Sequence, residues 1–319
     1  MTQADRNPFA YSDTNKRYRT YDHWCRTVFG GKCAKIPLDA GFTCPNLDGT
    51  CGTGGCIYCS GRGSGDFAPS AALPLAAQYA AAREDLTRKW PTERCIAYFQ
   101  ARTNTYAPVD VLRRTFEEAL TFDGVVGLSI ATRADCLPGD TVDYLADLST
   151  RTRLTVELGL QTAHDATATA INRGHTFADF LDGYRRLTAA APDAFTCIHL
   201  ILGLPGEDVA MMLDTVRAVA ALHPTMVKIH LLHILRGTAL AEMYERGAYT
   251  PMTQSAYVSA VVDALELLPP ATVIARLTGD GAAADLLAPS WSRAKRAVLA
   301  AIDRELYGRN TYQGRLFNK

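Results

Sequence analysis

The feature that most constrains the fold is a regular alternation between short apolar runs and segments with helical spacing of apolar residues. Six runs have the length of a strand, and a helical segment follows each of them. These runs are residues 35–38, 94–100, 125–131, 154–160, 195–202 and 226–232. Because strands that alternate with helices at roughly 30-residue spacing form βαβ units, the pattern predicts an α/β fold with a parallel sheet.

The number of units narrows the architecture further. Six βα units are too few for a closed eight-stranded barrel, so the pattern fits either a partial barrel or a doubly wound sheet. After Thr250 the alternation gives way to two helical segments around a short apolar run at 272–277. We therefore expect an N-terminal leader over 1–34, an α/β domain over 35–250 and a small C-terminal α/β cap over 251–319.

Charge and hydropathy argue against several classes of protein. The chain has 33 Lys and Arg residues against 33 Asp and Glu residues, whereas proteins that bind phosphate backbones usually show a basic excess. No apolar stretch approaches the roughly 18 residues of a membrane span. Residues 1–19 lack the apolar middle region of a signal peptide. We therefore expect a cytoplasmic protein with no membrane partner.

Clustered cysteines in a cytoplasmic chain indicate metal or redox chemistry rather than disulfides. Cys44, Cys51, Cys56 and Cys59 lie in one Gly-rich loop between the first strand and its helix. Their thiolates suit zinc, which takes four ligands, or a [4Fe–4S] cluster, which three thiolates can hold with one iron left open. Because active sites of parallel α/β folds lie at the carboxyl ends of the strands, the position of this loop favours a catalytic centre.

Polar side chains interrupt several predicted strands, although central parallel strands are normally apolar on both faces. Side chains alternate between the two faces of a strand, so one set of polar residues can face the interior. The polar positions are Tyr98 with Gln100, Ser129 with Arg133, Glu157 with Gln161, Lys228 with His230, and His199. Their convergence predicts an interior binding site rather than a packed core.

Four of the polar or sulfur-bearing side chains are candidates for the chemical step: Cys136, His199, Lys228 and His230. Each has a structural alternative as well. A histidine can be a satisfied core residue, a lysine can be half of a buried ion pair, and the Cys136 thiol can be idle. The alternatives stay open at the level of the sequence.

Several segments resemble the radical S-adenosylmethionine (SAM) superfamily, and most closely its YhcC-like family. The cluster motif C-x11-C-x2-C of that family matches Cys44, Cys56 and Cys59, which leaves Cys51 as an additional thiol. The resemblance extends over about residues 20–305. It includes segments 97–101, 131–136, 157–165, 171–175, 199–207, 228–233 and 276–280. The chain is also similar to the radical SAM domain of the Elongator catalytic subunit, which shares the Asn-Arg-Gly-His run at 172–175.

The resemblance implies a partial (β/α)6 barrel that binds a [4Fe–4S] cluster through Cys44, Cys56 and Cys59, with SAM on the open iron. One-electron reduction, from a donor such as flavodoxin or ferredoxin, would cleave SAM to methionine and a 5′-deoxyadenosyl radical. That radical would abstract hydrogen from an unidentified substrate, either a small molecule, a peptide or a tRNA. A four-cysteine zinc-binding module without catalysis is the alternative that the cysteines leave open.

The resemblance also implies roles for individual residues in SAM binding. It places Tyr58 near the adenine, and Gln100, Glu157 and Gln161 at the amino group and ribose. Arg133 or Arg173 would bind the methionine carboxylate, because a guanidinium can do so bidentately, and Arg173 is the preferred candidate. The backbone around Gly203 and Gly206 would either approach the adenosine or only form the turn after a strand.

Overall fold

The computed structural model describes residues 9, 11–63, 65–279, 281 and 283–317. Most of the first ten residues of the predicted leader therefore lie outside the described residues. The same holds for Asp280, which ends the segment 276–280 that contributes to the resemblance.

Seven parallel strands form the main sheet. They are β1 (Ala34–Leu38), β2 (Cys95–Phe99), β3 (Val125–Thr132), β4 (Arg153–Gln161), β5 (Phe195–Leu202), β6 (Met226–Leu231) and β8 (Val273–Arg276). The strands lie side by side in chain order without a reversal, which excludes the doubly wound arrangement. Seven strands also do not complete an eight-stranded barrel. The predicted partial barrel is confirmed, and the short strand predicted after residue 250 joins the six barrel strands as the seventh strand of the sheet.

Ten α-helices are present in the described parts of the chain. They are α1 (Tyr21–Phe29), α2 (Leu75–Lys89), α3 (Val109–Leu120), α4 (Gly139–Arg151), α5 (Asp165–Ala170), α6 (Phe177–Ala190), α7 (Val209–Ala220), α8 (Ala239–Glu245), α9 (Gln254–Leu267) and α10 (Lys295–Gly308). The hydrophobic core includes the fully buried Phe99 of β2, Phe116 of α3 and Leu158 of β4. In the described residues, no helix combines the length and apolar character that a membrane crossing requires.

Local sequence signals explain where helices begin. Thr176 and Asp179 form a capping box at the start of α6: the Asp179 amide donates to the Thr176 hydroxyl, and the Thr176 amide donates to the Asp179 carboxylate. Such reciprocal bonds satisfy backbone donors that have no partner within a helix. This cap ends the loop that carries the Asn-Arg-Gly-His run, so it fixes where that loop enters the helix.

The region after residue 250 contributes to the main sheet. The predicted strand at 272–277 is present as β8, which pairs with β6 and places Arg276 opposite Lys228. The leader contacts the same strand, because the Ile274 amide donates to the Arg19 carbonyl at 2.8 Å. Two further short strands, β7 (Ile234–Leu235) and β9 (Leu286–Ala288), form a separate antiparallel pair. The sheet thus continues across the boundary that the sequence predicted near residue 250.

Candidate active site

A cavity of about 590 Å³ lies inside the partial barrel, beneath the loop that follows β1. Its wall combines residues of this loop with alternate residues of the strands. The predicted site residues that line it are Cys44, Cys56, Tyr58, Cys59, Gln100, Arg133, Glu157, Gln161, Arg173, His199, Lys228 and His230. The alternation of polar residues along the strands therefore identified the interior face, as expected for parallel strands whose side chains alternate.

The cysteine-bearing loop, residues 39–74, presents three thiols to the cavity. The interaction with the neighbouring Cys59 thiol is the main reason that the pKa of Cys56 falls to about 7, and burial opposes this fall. Cys44 completes the set on the cavity wall. The loop is tied to the rest of the site by a bond from the Ile57 amide to the Ile171 carbonyl.

Two other cysteines lie outside this set. Cys51 is exposed and does not line the cavity. Cys136 was predicted as a candidate for the chemical step, but it is buried in a 3-10 turn and is also absent from the cavity wall. Burial raises the pKa of the Cys136 thiol far above its usual value, which keeps the thiol protonated and makes it a poor nucleophile at neutral pH.

The geometry of the thiols disfavours the four-cysteine zinc alternative. Zn–S distances of about 2.3 Å in a tetrahedral site require sulfur atoms within about 4 Å of one another. Among the described residues, one set of three candidate ligand atoms lies within 4.8 Å of one another, and it consists of Glu157, Cys197 and His199 rather than thiols of the loop. Two cationic lysines already occupy the Glu157 carboxylate, so this set does not fit a metal ion either.

Arg173 has a different role from the predicted one. Its guanidinium is 1% exposed and donates to the backbone carbonyls of Leu160, Thr162 and His175. These bonds use nearly all of the N–H donors of the guanidinium, so Arg173 links the end of β4 to the loop before α6. The guanidinium has no free pair of donors for a carboxylate. The preferred assignment of Arg173 to the methionine carboxylate is therefore not supported by its contacts.

Arg133, the second candidate for that carboxylate, is also engaged. It makes a bidentate pair with Asp135, with Nη2 2.7 Å from Oδ2 and Nε 3.0 Å from Oδ1. A further bond runs from Nη1 to the Arg173 carbonyl at 2.8 Å. Arg133 therefore links β3 to the Asn-Arg-Gly-His loop while its edge still lines the cavity.

Two glutamines at the carboxyl ends of their strands face the cavity. Gln161 has a left-handed backbone (φ 64°) at a bulge in the β4–β5 pairing, which turns its amide back over Gly159. A Cβ atom at Gly159 would lie only 2.5 Å from Gln161 Nε2, so a larger residue there would displace this amide. The Nε2 atom of Gln100 is buried and has no hydrogen-bond partner. An unpartnered buried donor on a cavity wall indicates a site for a ligand acceptor.

Gly203 and Gly206 do not line the main cavity. They form the turn after β5 with φ angles of 88° and 83°, which glycine adopts without strain. They border a separate small pocket, where the Tyr249 hydroxyl donates to the Gly203 carbonyl. Of the two alternatives in the sequence, the structure therefore favours a turn-forming role over contact with a ligand in the main cavity.

Glu157 is the centre of a buried polar cluster at the base of the cavity. Its carboxylate accepts bonds from Lys35, Lys228, Ser129 Oγ (2.6 Å), the Tyr98 hydroxyl (3.2 Å) and His199 Nε2 (2.7 Å). Burial alone would raise the pKa of Glu157, but Lys228 and Lys35 outweigh it and hold the pKa well below its usual value. With these five partners, Glu157 has no free oxygen for the predicted contact with SAM.

The two histidines beside Glu157 are neutral at physiological pH. Burial, reinforced by Lys228, lowers the pKa of His199 to about 4. Burial and the neighbouring His199 lower the pKa of His230 well below its usual value. Their rings lie 5.2 Å apart between centroids, and His230 Nε2 is buried without a hydrogen-bond partner. Both imidazoles can therefore donate or accept a hydrogen bond in their neutral form, but neither carries a positive charge.

Sequence reasoning missed Lys35, His175 and Asn46. Lys35 alternates with the buried Ala34 and Ile36 in β1, so the rule that identified Glu157 also applies to it. His175 lines the cavity, and burial lowers its pKa to about 4.

No sequence signal identifies Asn46, because its role depends on a close approach between two distant segments. Its amide donates to the Asn172 carbonyl and lies 3.9 Å from the Cys56 sulfur. A Cβ atom at Gly174 would lie 2.7 Å from the Asn46 oxygen, so the glycine of the Asn-Arg-Gly-His run allows this approach.

Comparison with known proteins identifies the class. The model of the Radical SAM superfamily matches residues 49–219, and that of the Radical_SAM C-terminal domain matches residues 224–308. Because the first match alone covers more than half of the chain, this protein belongs to the radical SAM superfamily and is a radical SAM enzyme. The matched region contains Cys56 and Cys59 of the loop and most of the strands that line the cavity.

Particular relatives support the resemblance to the YhcC-like family. YtqA of Bacillus subtilis (strain 168) is 49% identical over 98% of this chain and 97% of its own length. YhcC of Escherichia coli (strain K12) is 36% identical over 87% of this chain and 88% of its own length. The structure of Elp3 from Methanocaldococcus infernus, lacking residues 1–46, superimposes with a TM-score of 0.65 at 18% identity. That superposition covers 88% of this chain and 64% of Elp3, and at this identity it supports the fold alone.

Proposed function

We propose that this enzyme binds a [4Fe–4S] cluster through Cys44, Cys56 and Cys59, with SAM on the open iron, and abstracts hydrogen from a substrate held deeper in the barrel. The observation that carries the proposal is that the three thiols and the buried Glu157 cluster line the same cavity. Cofactor and substrate would thus share one enclosed space, which the transfer of a reactive radical requires.

The residues present fit such a cofactor. Three thiols on one loop are the donor set that leaves one iron of a [4Fe–4S] cluster open, and the fourth thiol of the loop, Cys51, is exposed outside the wall. The cavity of about 590 Å³ lies within the usual range for ligand sites of roughly 300–1,000 Å³. The unpartnered Gln100 amide supplies a donor for a polar ligand at the same level.

When bound, the reduced cluster supplies the electron that splits SAM into methionine and a 5′-deoxyadenosyl radical. The residues of this chain position and shield that chemistry. Tyr58 packs between the cluster cysteines, and Gln100 and Gln161 offer amides to the polar groups of SAM. Arg133 and Arg173 hold the surrounding loops in place, so the opening stays aligned with the barrel interior.

The electron must come from outside the chain. We propose a reduced carrier protein such as flavodoxin or ferredoxin as the partner, in the cytoplasm. Three substrate classes remain compatible with the reaction: a small molecule, a peptide and a tRNA.

The test is anaerobic reconstitution with iron and sulfide, followed by SAM and dithionite, with 5′-deoxyadenosine measured by chromatography. We expect about four irons per chain and deoxyadenosine formation in the wild type. Cys56→Ala should abolish both the full cluster and deoxyadenosine, whereas Cys51→Ala, the matched control in the same loop, should retain both. One zinc per chain without deoxyadenosine, or equal loss in the two variants, would contradict the proposal.

A further inference from the structure

The base of the cavity carries more positive than negative charge. Two lysines, Lys35 from β1 and Lys228 from β6, pair with the single carboxylate of Glu157. The Glu157 side chain is 1% exposed and that of Lys228 is 7% exposed, so solvent screens this pair poorly, whereas Lys35 lies off the cavity wall and is 20% exposed. Among the described residues that line the cavity, the other acidic residue is Asp66, which belongs to the cysteine-bearing loop. Within the described part of the chain, two ammonium groups therefore share one carboxylate at this position.

Neutral groups around the lysines do not remove this excess. Tyr98 lies beneath both ammonium groups, with its ring centroid 4.0 Å from Lys35 Nζ and 4.8 Å from Lys228 Nζ. A ring face stabilises a cation but carries no net charge. The pKa of His199 and that of His230 are both lowered by burial, so the two rings are neutral and add no charge. Keeping an unbalanced charge away from water is unfavourable, so a bound anion would stabilise this arrangement.

Unpartnered donors face the same space. His230 Nε2 is buried without a hydrogen-bond partner, and it lies on the strand that carries Lys228, two residues further along. In its neutral form the imidazole can donate one hydrogen bond to an oxygen atom. A lysine ammonium and an imidazole N–H on the same face of one strand form a suitable pair for an oxyanion.

The Glu157 cluster lies on the strands and not on the cysteine-bearing loop. Glu157 is the fifth residue of the nine-residue β4, and Lys228 is the third residue of the six-residue β6. The cysteines proposed for the cofactor belong to the loop that follows β1. A ligand bound by Lys228 would therefore contact the strand walls of the cavity and leave the thiols of the loop to the cofactor.

We propose that the substrate carries an anionic oxygen group, a carboxylate or a phosphate, that binds at Lys228 and His230 at the base of the cavity. This inference rests on the proposed function for the identity of the site, but the binding of an anion there does not depend on catalysis. The substrate is held by its charged end, and the carbon that loses hydrogen faces the opening toward the cysteines.

The test measures anion binding to the reconstituted protein with SAM present and no reductant, so that the cofactor region is occupied. Trifluoroacetate is the probe, observed by ¹⁹F NMR line broadening, and trifluoroethanol is the neutral control. We expect saturable broadening for trifluoroacetate only. Competition by acetate and by inorganic phosphate then distinguishes the two anion classes, since the class that matches the site displaces the probe at the lower concentration.

Two variants that are expected to change trifluoroacetate affinity in opposite directions exclude a general loss of structure as the cause. Lys228→Met should weaken trifluoroacetate binding at least tenfold, and Glu157→Gln should strengthen it several-fold because it removes the competing carboxylate. If Lys228→Met does not fold, Lys228→Gln carries the same expectation. The matched control is Lys89→Met, at the exposed end of α2, which should leave binding unchanged.

The outcome is independent of the deoxyadenosine assay. Unchanged binding in folded Lys228→Met, weaker binding in folded Glu157→Gln, or no saturable broadening in the wild type would overturn the anion proposal. Each of these results can occur while deoxyadenosine still forms, in which case the proposed function stands. Conversely, anion binding without deoxyadenosine would leave this inference intact and contradict the proposed function.

Discussion

At the scale of single residues, a buried guanidinium can serve architecture rather than ligand binding. Arg173 lies on the wall of the cavity, yet its donors are directed to backbone carbonyls at the end of β4 and before α6. Carbonyl oxygens that are buried without a partner cost free energy, so a residue that satisfies three of them is structurally important. The sequence shows that an arginine is present in the Asn-Arg-Gly-His run but not where its donors point.

Replacing Arg173 tests this structural role. Arg173→Lys removes the fork that reaches several carbonyls at once, and we expect the free energy of unfolding to fall by about 2–4 kcal/mol. Chemical denaturation measures the loss, and Arg185→Lys on the exposed side of α6 is the matched control with no expected change. A tenfold weaker SAM affinity with unchanged stability would instead support the original assignment of Arg173 to the carboxylate of SAM.

At the scale of elements, the site depends on how closely helices approach the loops that follow the strands. Helix α6 packs on the 3-10 turn Ala134–Cys136, which follows Arg133 at the end of β3. Gly183 makes this contact possible, since a Cβ atom there would lie 2.0 Å from the Ala134 carbonyl oxygen. Glycine in a helix is normally unfavourable by about 1 kcal/mol relative to alanine, so close packing decides its presence here.

Substitution of two helical glycines tests this packing. Gly183→Ala should destabilise the protein by at least about 2 kcal/mol despite its better helix propensity, because the backbone of the turn must move. Gly139→Ala, at the first position of α4, meets no atom within 4 Å and should be neutral or slightly stabilising. Thermal unfolding of both variants measures the difference, and equal stability of the two would contradict the packing argument.

At the scale of the whole molecule, the barrel and the region after residue 250 share one sheet. β8 extends the sheet beyond β6, and α9 and α10 pack on each other with Leu265 and Ile302 in the main core. The leader also contacts β8 through the bond between the Ile274 amide and the Arg19 carbonyl. Removal of the C-terminal region would therefore expose both an edge strand and core surface.

A chain truncated after Thr250 tests this dependence. We expect it to lose cooperative unfolding and to aggregate, because the edge of β6 and the surface of α7 that packs against α9 become exposed. Solubility on expression and the thermal unfolding transition, compared with those of the full chain, measure the effect. A soluble truncated protein with one sharp transition would contradict this dependence and would support a division of the chain near residue 250.

The sequence by itself determined the alternation of strands and helices, the cysteine-bearing loop and the interior face of the strands. These features are local, because periodicity, spacing and side-chain alternation depend on neighbouring residues. The alternation of polar and apolar side chains along a strand was sufficient to identify Glu157, His199 and Lys228 as interior residues. The same alternation would also have identified Lys35.

Only the tertiary structure decided the partners of those side chains. It showed that Arg173 is committed to backbone carbonyls, that Gly203 lies outside the main cavity, and that β8 completes the observed sheet. It also brought Lys35 of β1 and Lys228 of β6 to one carboxylate on β4. Contacts between residues far apart in the chain depend on how strands curve and loops meet, and no local pattern encodes that geometry.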